Sequence, residues 1–426
     1  MNLAYKILNS SLFKASGIYT IVSIINAVIP FFLLPVLTRY LSPEDYGIVA
    51  MFSLIVSIIG VFTGLSVHGA INRVYFEKDI NFKEYVANCI FILFGSSVLT
   101  FLIVFFIRDF ISNISGVPEN WILIAVYVSF FQFLILSNLV IYQVRMKAKE
   151  YSFIQIGRSL LNVILTIFLV VIIGLKWEGR LSAQILATFI FGIFSFIILH
   201  KSWTEWKINK YYIKHALKFG VPLIPHTIGG MLIVATDRFV IMNTLGLKEA
   251  GIYTVGLQIG MIIQLFTDAF NKAYVPWLFE KLNQNDYKAK IKIVKFTYFY
   301  FVAIILFALV VGLLAPFLIK ILVGKSFYES SSVVLWIALG GAFKGMYYMV
   351  TNYIFYSYKT YILTWITLFC GLINIPITFS LTKNFGIIGA GMSYSLVLFL
   401  FFILTFIISI KVYKMPWMLL FIRLRR

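Results

Sequence analysis

Apolar residues run along this chain in long unbroken stretches. Residues 15–38, 120–144, 296–319 and 385–410 contain no Lys, Arg, Asp or Glu. Each stretch exceeds the ~20 residues that a helix needs to cross hydrocarbon. The runs are continuous and do not alternate, which argues against barrel strands. The pattern predicts twelve helices, at 15–38, 46–70, 85–107, 120–144, 151–173, 181–199, 221–245, 250–279, 296–319, 331–358, 360–382 and 385–410. Tyr40, Trp121, Trp177 and Trp203 fall near the ends of these segments, where amphipathic rings favour the membrane interface.

Composition agrees. The chain is 61% hydrophobic and 12% charged, with a mean hydropathy of +0.95. A soluble body of this size needs more polar surface. The expectation is an all-α integral membrane protein. Net charge is +20, and its location is more telling than its sum. With the N-terminus in the cytoplasm, 24 of the 36 Lys and Arg fall in cytoplasmic segments, 8 on the other side and 4 inside spans. That bias fits the positive-inside rule with both termini cytoplasmic. It assigns the excess charge to topology and anionic membrane lipids, so a nucleic-acid site is not needed. Cys89 and Cys370 each lie in apolar runs and offer neither a disulfide framework nor a metal spacing. The first residues lack a compact apolar core before a cleavage site, so the first span reads as the insertion signal.

The longest cytoplasmic connection, HKSWTEWKINKYYIKHALKFG, falls at the midpoint. It is basic and aromatic, suited to lying along the membrane surface. It divides the chain into an N-terminal six-helix lobe (1–200), a basic linker (201–220) and a C-terminal six-helix lobe (221–426). A shift of 204 residues overlays LSPEDYGIVAMFSLIVSIIGVFT (41–63) on LGLKEAGIYTVGLQIGMIIQLFT (245–267), with 8 of 23 positions identical. Six spans per half give both lobes one orientation, related by a pseudo-twofold axis along the membrane normal.

Charges inside spans are costly and mark cavities or partners. Here they are Arg158, Asp237, Arg238, Asp268, Lys272 and Lys344, with His68 and His226. Helical spacing places Gln155, Arg158, Asn162 and Thr166 on one stripe, and Gln264, Asp268 and Lys272 on another. Ser53, Ser57, Gly60, Gly64 and His68 form a third. His226, Gly230 and Asp237 share a face, as do Thr364, Thr367, Gly371, Asn374 and Thr378. Such stripes fit either a wetted cavity or helix packing through small and polar residues. His68, Arg158, His226 and Lys272 fall in the cytoplasmic half, with Arg73 at that mouth; Lys344 is near mid-depth and Arg238 in the outer half. This is a cationic route for a substrate with an anionic end such as a pyrophosphate. Asp237 and Arg238 point about 100° apart, so Arg238 is expected to reach the next helix or snorkel outward. Asp268 and Lys272 are spaced for a salt bridge. Asp237 or Asp268 can instead bind a coupling Na+ or proton.

LTRYLSPEDYGIVAMF (37–52) and DRFVIMNTLGLKEAGIYTVGLQI (237–259) resemble the two interhelical turns of the polysaccharide biosynthesis protein family, the O-antigen-type flippases. The resemblance implies the superfamily that also holds multidrug exporters and lipid II flippases, with twelve helices in two lobes. It implies movement of an undecaprenyl-pyrophosphate-linked oligosaccharide across the bacterial cytoplasmic (inner) membrane by alternating access. It also implies pathway partners, the polymerase and chain-length proteins, and no cofactor besides a coupling ion. Asp237 and Arg238 carry over from the motif. The first half has Leu33 and Leu34 at the overlaid positions, so the lobes are not expected to act equally.

The resulting expectation is a flippase whose cationic cavity takes the pyrophosphate on Arg158, Lys272, Lys344, His68, Arg73 and Arg238. Gln155, Asn162, Asn374, Tyr347 and Tyr348 would contact sugar. Asp237, Asp268 and His226 would hold a coupling ion or a structural pair. The rivals are an ion-coupled drug exporter of the same architecture, disfavoured by a net-basic interior, and a membrane polymerase or glycosyltransferase, disfavoured by the absence of a long outer loop. PEDY reads as a turn.

Overall fold

The computed structural model describes residues 11–77, 79–284 and 286–417, with side chains from Ile18 onward. Lys6, Lys78, Arg423, Arg425, Arg426, the Lys14 side chain and both termini of the topology argument lie outside the described residues. Everything regular among the described residues is helical. Eleven helical segments are long and apolar enough to cross a membrane. The last of them contains two spans.

In chain order the helices are α1 (Ser11–Tyr40), α2 (Pro43–Gly64), α3 (Val67–Val74), α4 (Phe82–Ser115), α5 (Glu119–Val144), α6 (Ala148–Thr166) and α7 (Lys176–Ile198). Then follow α8 (Lys210–Gly220), α9 (Ile224–Thr244), α10 (Leu247–Gly260), α11 (Ile262–Asn283), α12 (Tyr287–Leu322), α13 (Ser331–Tyr356) and α14 (Tyr361–Val412). Wide π-type turns extend α6 through Ile172 and α7 through Trp203.

Local chemistry sets several ends. Ser42 caps α2 through its side chain on the Asp45 N–H, and Asp45 reaches back to the Ser42 N–H at 2.9 Å. With Pro43 at the first helical position, this is a capping box. PEDY is therefore the first turn of a helix, and the chain turns at Leu41–Ser42. Asn81 and Asp286 cap α4 and α12, each side chain accepting from two backbone N–H groups of the first turn.

The expected helix 46–70 is broken. Leu65 (φ 41°) and Ser66 (φ 53°) are left-handed, a conformation that costs L-residues about 1–2 kcal/mol each. The expected helix 250–279 bends at Met261, between α10 and α11. The expected break at 383–384 takes an unusual form. Gly386 has φ 60° and ψ −144° inside α14, a region closed to residues with a Cβ. Thr378 Oγ1 lies 2.7 Å from Ser393 Oγ, whereas fifteen residues of straight helix would span about 22 Å. The chain thus doubles back at Gly386, and α14 supplies the eleventh and twelfth spans as a hairpin.

The chain divides into two compact units at Ile228–Gly229, inside α9. In the first unit, α5 is the hub, packed by α2, α3, α4, α6 and α7. In the second, α13 is the hub, packed by α10, α11, α12 and α14. Gly256 and Gly260 let α10 approach α13 closely: a Cβ at Gly256 would sit 2.3 Å from Val333, and one at Gly260 2.6 Å from Ile337. Small residues serve this purpose where helix contact in lipid relies on close packing.

The segment 201–220 is bound tightly to the first unit. Asn88 is fully buried. Its amide donates to the Lys207 carbonyl at 2.8 Å and accepts from the Asn209 N–H at 2.9 Å. Asn209 donates to Glu84 at 3.0 Å, and the Glu205 N–H donates to the Lys83 carbonyl at 3.2 Å. Lys207, 3.0 Å from Glu205, together with Asn81, holds the Glu205 carboxyl below the usual carboxylate range. That exposed pair favours the folded strap above the ordinary carboxylate pKa, and its small contribution fades as pH falls through the lowered value.

Asn88→Ala removes both ends of the central bridge and should cost about 1–3 kcal/mol. The expected result is a lower thermal unfolding midpoint for purified protein in detergent and faster proteolytic cleavage between 199 and 209. An unchanged midpoint and cleavage rate would contradict the bridging role.

Candidate functional site

The first unit contains a polar recess at membrane depth, built by α5, α6 and α7. It has two chambers that share Gln132 and Arg158. One, of about 200 Å³, is lined by Ser159, Asn162, Arg180, Gln184 and Thr188 in addition to the shared pair. The other, of about 350 Å³, adds the polar Gln143, Tyr151 and Gln155 and the aliphatic Ile135, Leu136, Leu139 and Val140. Helical spacing explains the first wall: Gln155, Arg158 and Asn162 repeat at three- and four-residue intervals along α6 and so share a face.

Arg180 belongs to this site, although its sequence position assigns it to an outer loop. It lies one turn into α7, after Lys176 and Glu178. That looks like a charge at a helix end reaching for water. Its side chain instead turns inward, donating to Asn162 Oδ1 at 2.9 Å and Thr166 Oγ1 at 3.4 Å. Asn162, expected to contact sugar, therefore orients a guanidinium. Ser159 is fixed in turn by a hydrogen bond to Asn26 on α1.

Among the described residues, no acid forms an ion pair with Arg158 or Arg180. Among the described residues, Arg158, Gln132, Gln143, Gln155 and Gln184 have no side-chain hydrogen-bond partner. Buried polar groups are almost always paired, and an amide or guanidinium left bare in an apolar medium costs several kcal/mol. Gln143 is exposed and the others are half-buried along the recess, so water or a ligand satisfies them. Two guanidiniums without a counter-charge form an anion site, and Arg matches phosphate oxygens with two parallel N–H groups.

Other expected residues lie elsewhere. His68 sits on the separate helix α3, its ring 5.8 Å from Phe133. The same ring fills the space above Gly64, where a Cβ would lie 2.1 Å from it. The Gly60–Gly64–His68 stripe is thus a packing surface for Phe133, the second of the two readings that its spacing allowed. Arg73 is exposed, pairs with Glu77 at 3.4 Å and lies over Phe219. His226 is exposed in the first turn of α9, while Asp237 further along is buried, so the two do not form one ion site.

In the second unit, Asp237 is 2% exposed. It accepts from Tyr253 Oη at 2.5 Å and from the Arg238 N–H at 2.8 Å. Arg238 does not reach another helix. Its side chain folds back, with Nε 3.7 Å from Asp237 and Nη2 donating to the Val234 carbonyl at 2.9 Å. Sequence neighbours can pair in this way because both side chains bend toward the same turn. Asn374 is also buried and bonded. It donates to the Leu232 carbonyl at 2.8 Å and accepts from Thr378 at 3.0 Å, joining α9 to both arms of α14. It is a structural link, where a sugar contact was expected. Asp268 forms no ion pair with Lys272; it lies within electrostatic reach of Lys344 and Tyr348. Lys344 stands 5.9 Å above the Tyr348 ring, and Lys272 is exposed. Tyr347 stacks on Phe401 at 4.3 Å, which occupies a ring face expected to meet sugar.

The two kinds of site should respond differently to substitution. Tyr253→Phe removes a donor from a buried carboxylate and should cost about 1–3 kcal/mol. Asp237→Ala leaves Arg238 without its counter-charge and should cost about 3–5 kcal/mol. Arg158→Gln, which breaks no protein contact, should leave thermal stability near wild type. Unfolding midpoints in detergent check all three. A midpoint for Asp237→Ala as high as for Arg158→Gln would contradict the structural assignment of the pair.

Comparison with known proteins places this geometry. Over 381 residues the chain is 25% identical to "Lsg locus putative protein 1" of Haemophilus influenzae, covering 87% of this chain and 91% of that protein. It is 24% identical over 407 residues to "Capsular polysaccharide biosynthesis protein CapF" of Staphylococcus aureus, covering 88% and 93%. Among solved structures, it resembles a lipid II flippase MurJ in an inward closed conformation, with TM-score 0.73, 16% identity and coverage of 92% and 87%. An inward-facing multidrug resistance MATE family transporter of the MOP superfamily gives TM-score 0.70 at 14% identity, covering 90% and 94%. At these identities the structural likenesses establish the fold, a two-lobed multi-pass membrane architecture. The model of the polysaccharide biosynthesis protein family matches residues 12–282, and the chain belongs to that family.

Proposed function

We propose that this protein is a flippase for a lipid-linked glycan, an undecaprenyl-pyrophosphate-linked oligosaccharide repeat unit. In this reading the lipid tail stays in the bilayer while the charged head crosses through the protein by alternating access. The direction is from the cytoplasmic to the outer leaflet of the bacterial inner membrane, with both termini cytoplasmic. A Na+ or proton gradient supplies the drive.

One observation carries the reading. Arg158 and Arg180 line a single cavity at membrane depth without an acid to neutralise them. Holding two cations there is expensive unless the cargo brings negative charge. Arg180 is held in place by Asn162 and Thr166, so little side-chain entropy is lost when it meets a phosphate. Arg158 is unbonded and can follow the head as it moves. The family's role in polysaccharide biosynthesis and the flippase named among the structural likenesses support the glycan and the transport step. The multidrug transporter likeness concerns fold alone, and a cationic drug would meet repulsion from both arginines. An enzymatic reading lacks an acid or base in the recess: its lining has no carboxylate or histidine.

The test is transport in reconstituted vesicles, with a labelled polyprenyl-pyrophosphate saccharide placed in one leaflet. Wild type should move it. Arg158→Glu should slow movement by tenfold or more, the equivalent of at least about 1.4 kcal/mol, with an unchanged unfolding midpoint. Arg180→Gln should slow it less, since its partners remain. Equal rates for wild type and Arg158→Glu would overturn the anion path. Transport of an organic cation in place of the saccharide would favour the drug-exporter reading.

A further inference from the structure

We infer that the larger chamber, beside the arginine pair, is a binding site for one uncharged sugar ring, the ring attached directly to the phosphate group. This rests on the reading above and adds which part of the head sits where.

The first argument is the division of chemistry between the chambers. The smaller one holds both guanidiniums, with Asn162 and Thr166 engaged in orienting Arg180. The larger one holds Arg158 only at the boundary, and its other polar groups are neutral: Gln132, Gln143, Gln155 and Tyr151. A carboxylated sugar placed there would compete with the phosphate for Arg158 and find no second cation. An uncharged sugar avoids that competition.

The second argument is the state of the amides. Among the described residues, Gln132, Gln143 and Gln155 have no side-chain hydrogen-bond partner. A primary amide offers two donors and an acceptor. Sugar hydroxyls and N-acetyl groups likewise donate and accept, so each amide can bond without leaving an unmatched group. Gln132 and Gln155 are half-buried while Gln143 is exposed at the rim, and a site that held only lipid tail would have no use for the two half-buried amides.

The third argument is shape. Amides and the aliphatic side chains Ile135, Leu136, Leu139 and Val140 line the chamber together. A pyranose calls for the same mixture, with hydroxyls at its edge and C–H groups on its faces. The chamber's volume, about 350 Å³, is at the lower end of the range for small-molecule pockets. Tyr151 lines the chamber as well, its ring edge-on against Tyr19 at 4.9 Å. The chamber shares Arg158 with the anion site, so a ring bound there has its phosphate within reach of the guanidinium.

The test is equilibrium binding to full-length protein in detergent with three probes: polyprenyl diphosphate alone, the same lipid with one N-acetylhexosamine, and the same lipid with one uronic acid. Wild type should bind the N-acetylhexosamine lipid more tightly than either other probe. Gln143→Leu and Gln155→Leu should each weaken it about tenfold, the effect of one lost hydrogen bond of ordinary strength. Their affinity for the bare lipid should match wild type, as should their unfolding midpoints. Arg158→Glu should weaken all three probes. The sugar chamber is overturned if the Leu variants bind the N-acetylhexosamine lipid as wild type does, or lose the bare lipid equally. It is also overturned if wild type prefers the uronic acid. Failure of wild type to bind even the bare diphosphate would overturn the transport reading and the chamber together.

Discussion

Hydrocarbon cannot hydrogen-bond, so every polar group that this chain carries into the bilayer must find a partner in the protein, in water or in cargo. That constraint sorts the interior. Asp237, Asn374, Thr378 and Ser393 satisfy one another and the backbone around α9 and α14. Asn88 does the same between α4 and the strap. Among the described residues, Arg158 and the glutamines of α5, α6 and α7 have no such partners. Open groups occur elsewhere too, as at Asn138, but along the recess several of them line one space.

Much of the architecture was legible because it depends on length and periodicity alone. Twelve apolar segments, their approximate bounds and the family resemblance all follow from the order of residues. The breaks were less visible. Leu65 and Ser66 are ordinary helix residues by pattern, and their left-handed conformation reflects tertiary surroundings: Phe133 fills the space at Gly64, and α8 ends against the Leu65 carbonyl at Gly220. The π-type turns after Thr166 and Ile198 have no compositional sign. The doubling back at Gly386 was placed correctly to within a few residues, but nothing in the pattern showed how tight it would be.

The candidate site was legible only on one helix. The Gln155–Arg158–Asn162 stripe follows directly from helical spacing, and it lines the recess. The opposite walls were missed. Gln132 and Gln184 are neutral and raise no alarm in a charge survey, and Arg180 resembles a helix-end anchor. Its inward turn depends on Asn162 and Thr166 lying across from it on α6, a pairing that single-helix periodicity cannot see. Conversely, Asp237 and Arg238 drew attention because charges in lipid are rare. They prove to be a buried ion pair at 3.7 Å, with Asp237 also bonded to Tyr253, whose hydroxyl no charge count would flag.

The hairpin at Gly386 bears on how the chain enters the membrane. A pair of spans joined by a long hydrophilic loop requires that loop to be dragged through oil. Here the tip between the two arms carries a single charge, Lys383, and the arms are stitched by Thr378 and Ser393 close behind it. The translocation cost is then roughly that of one lysine, about 2.5–3.5 kcal/mol on insertion scales. The two arms can therefore leave the insertion machinery together, already paired, and partition sideways as one preassembled element.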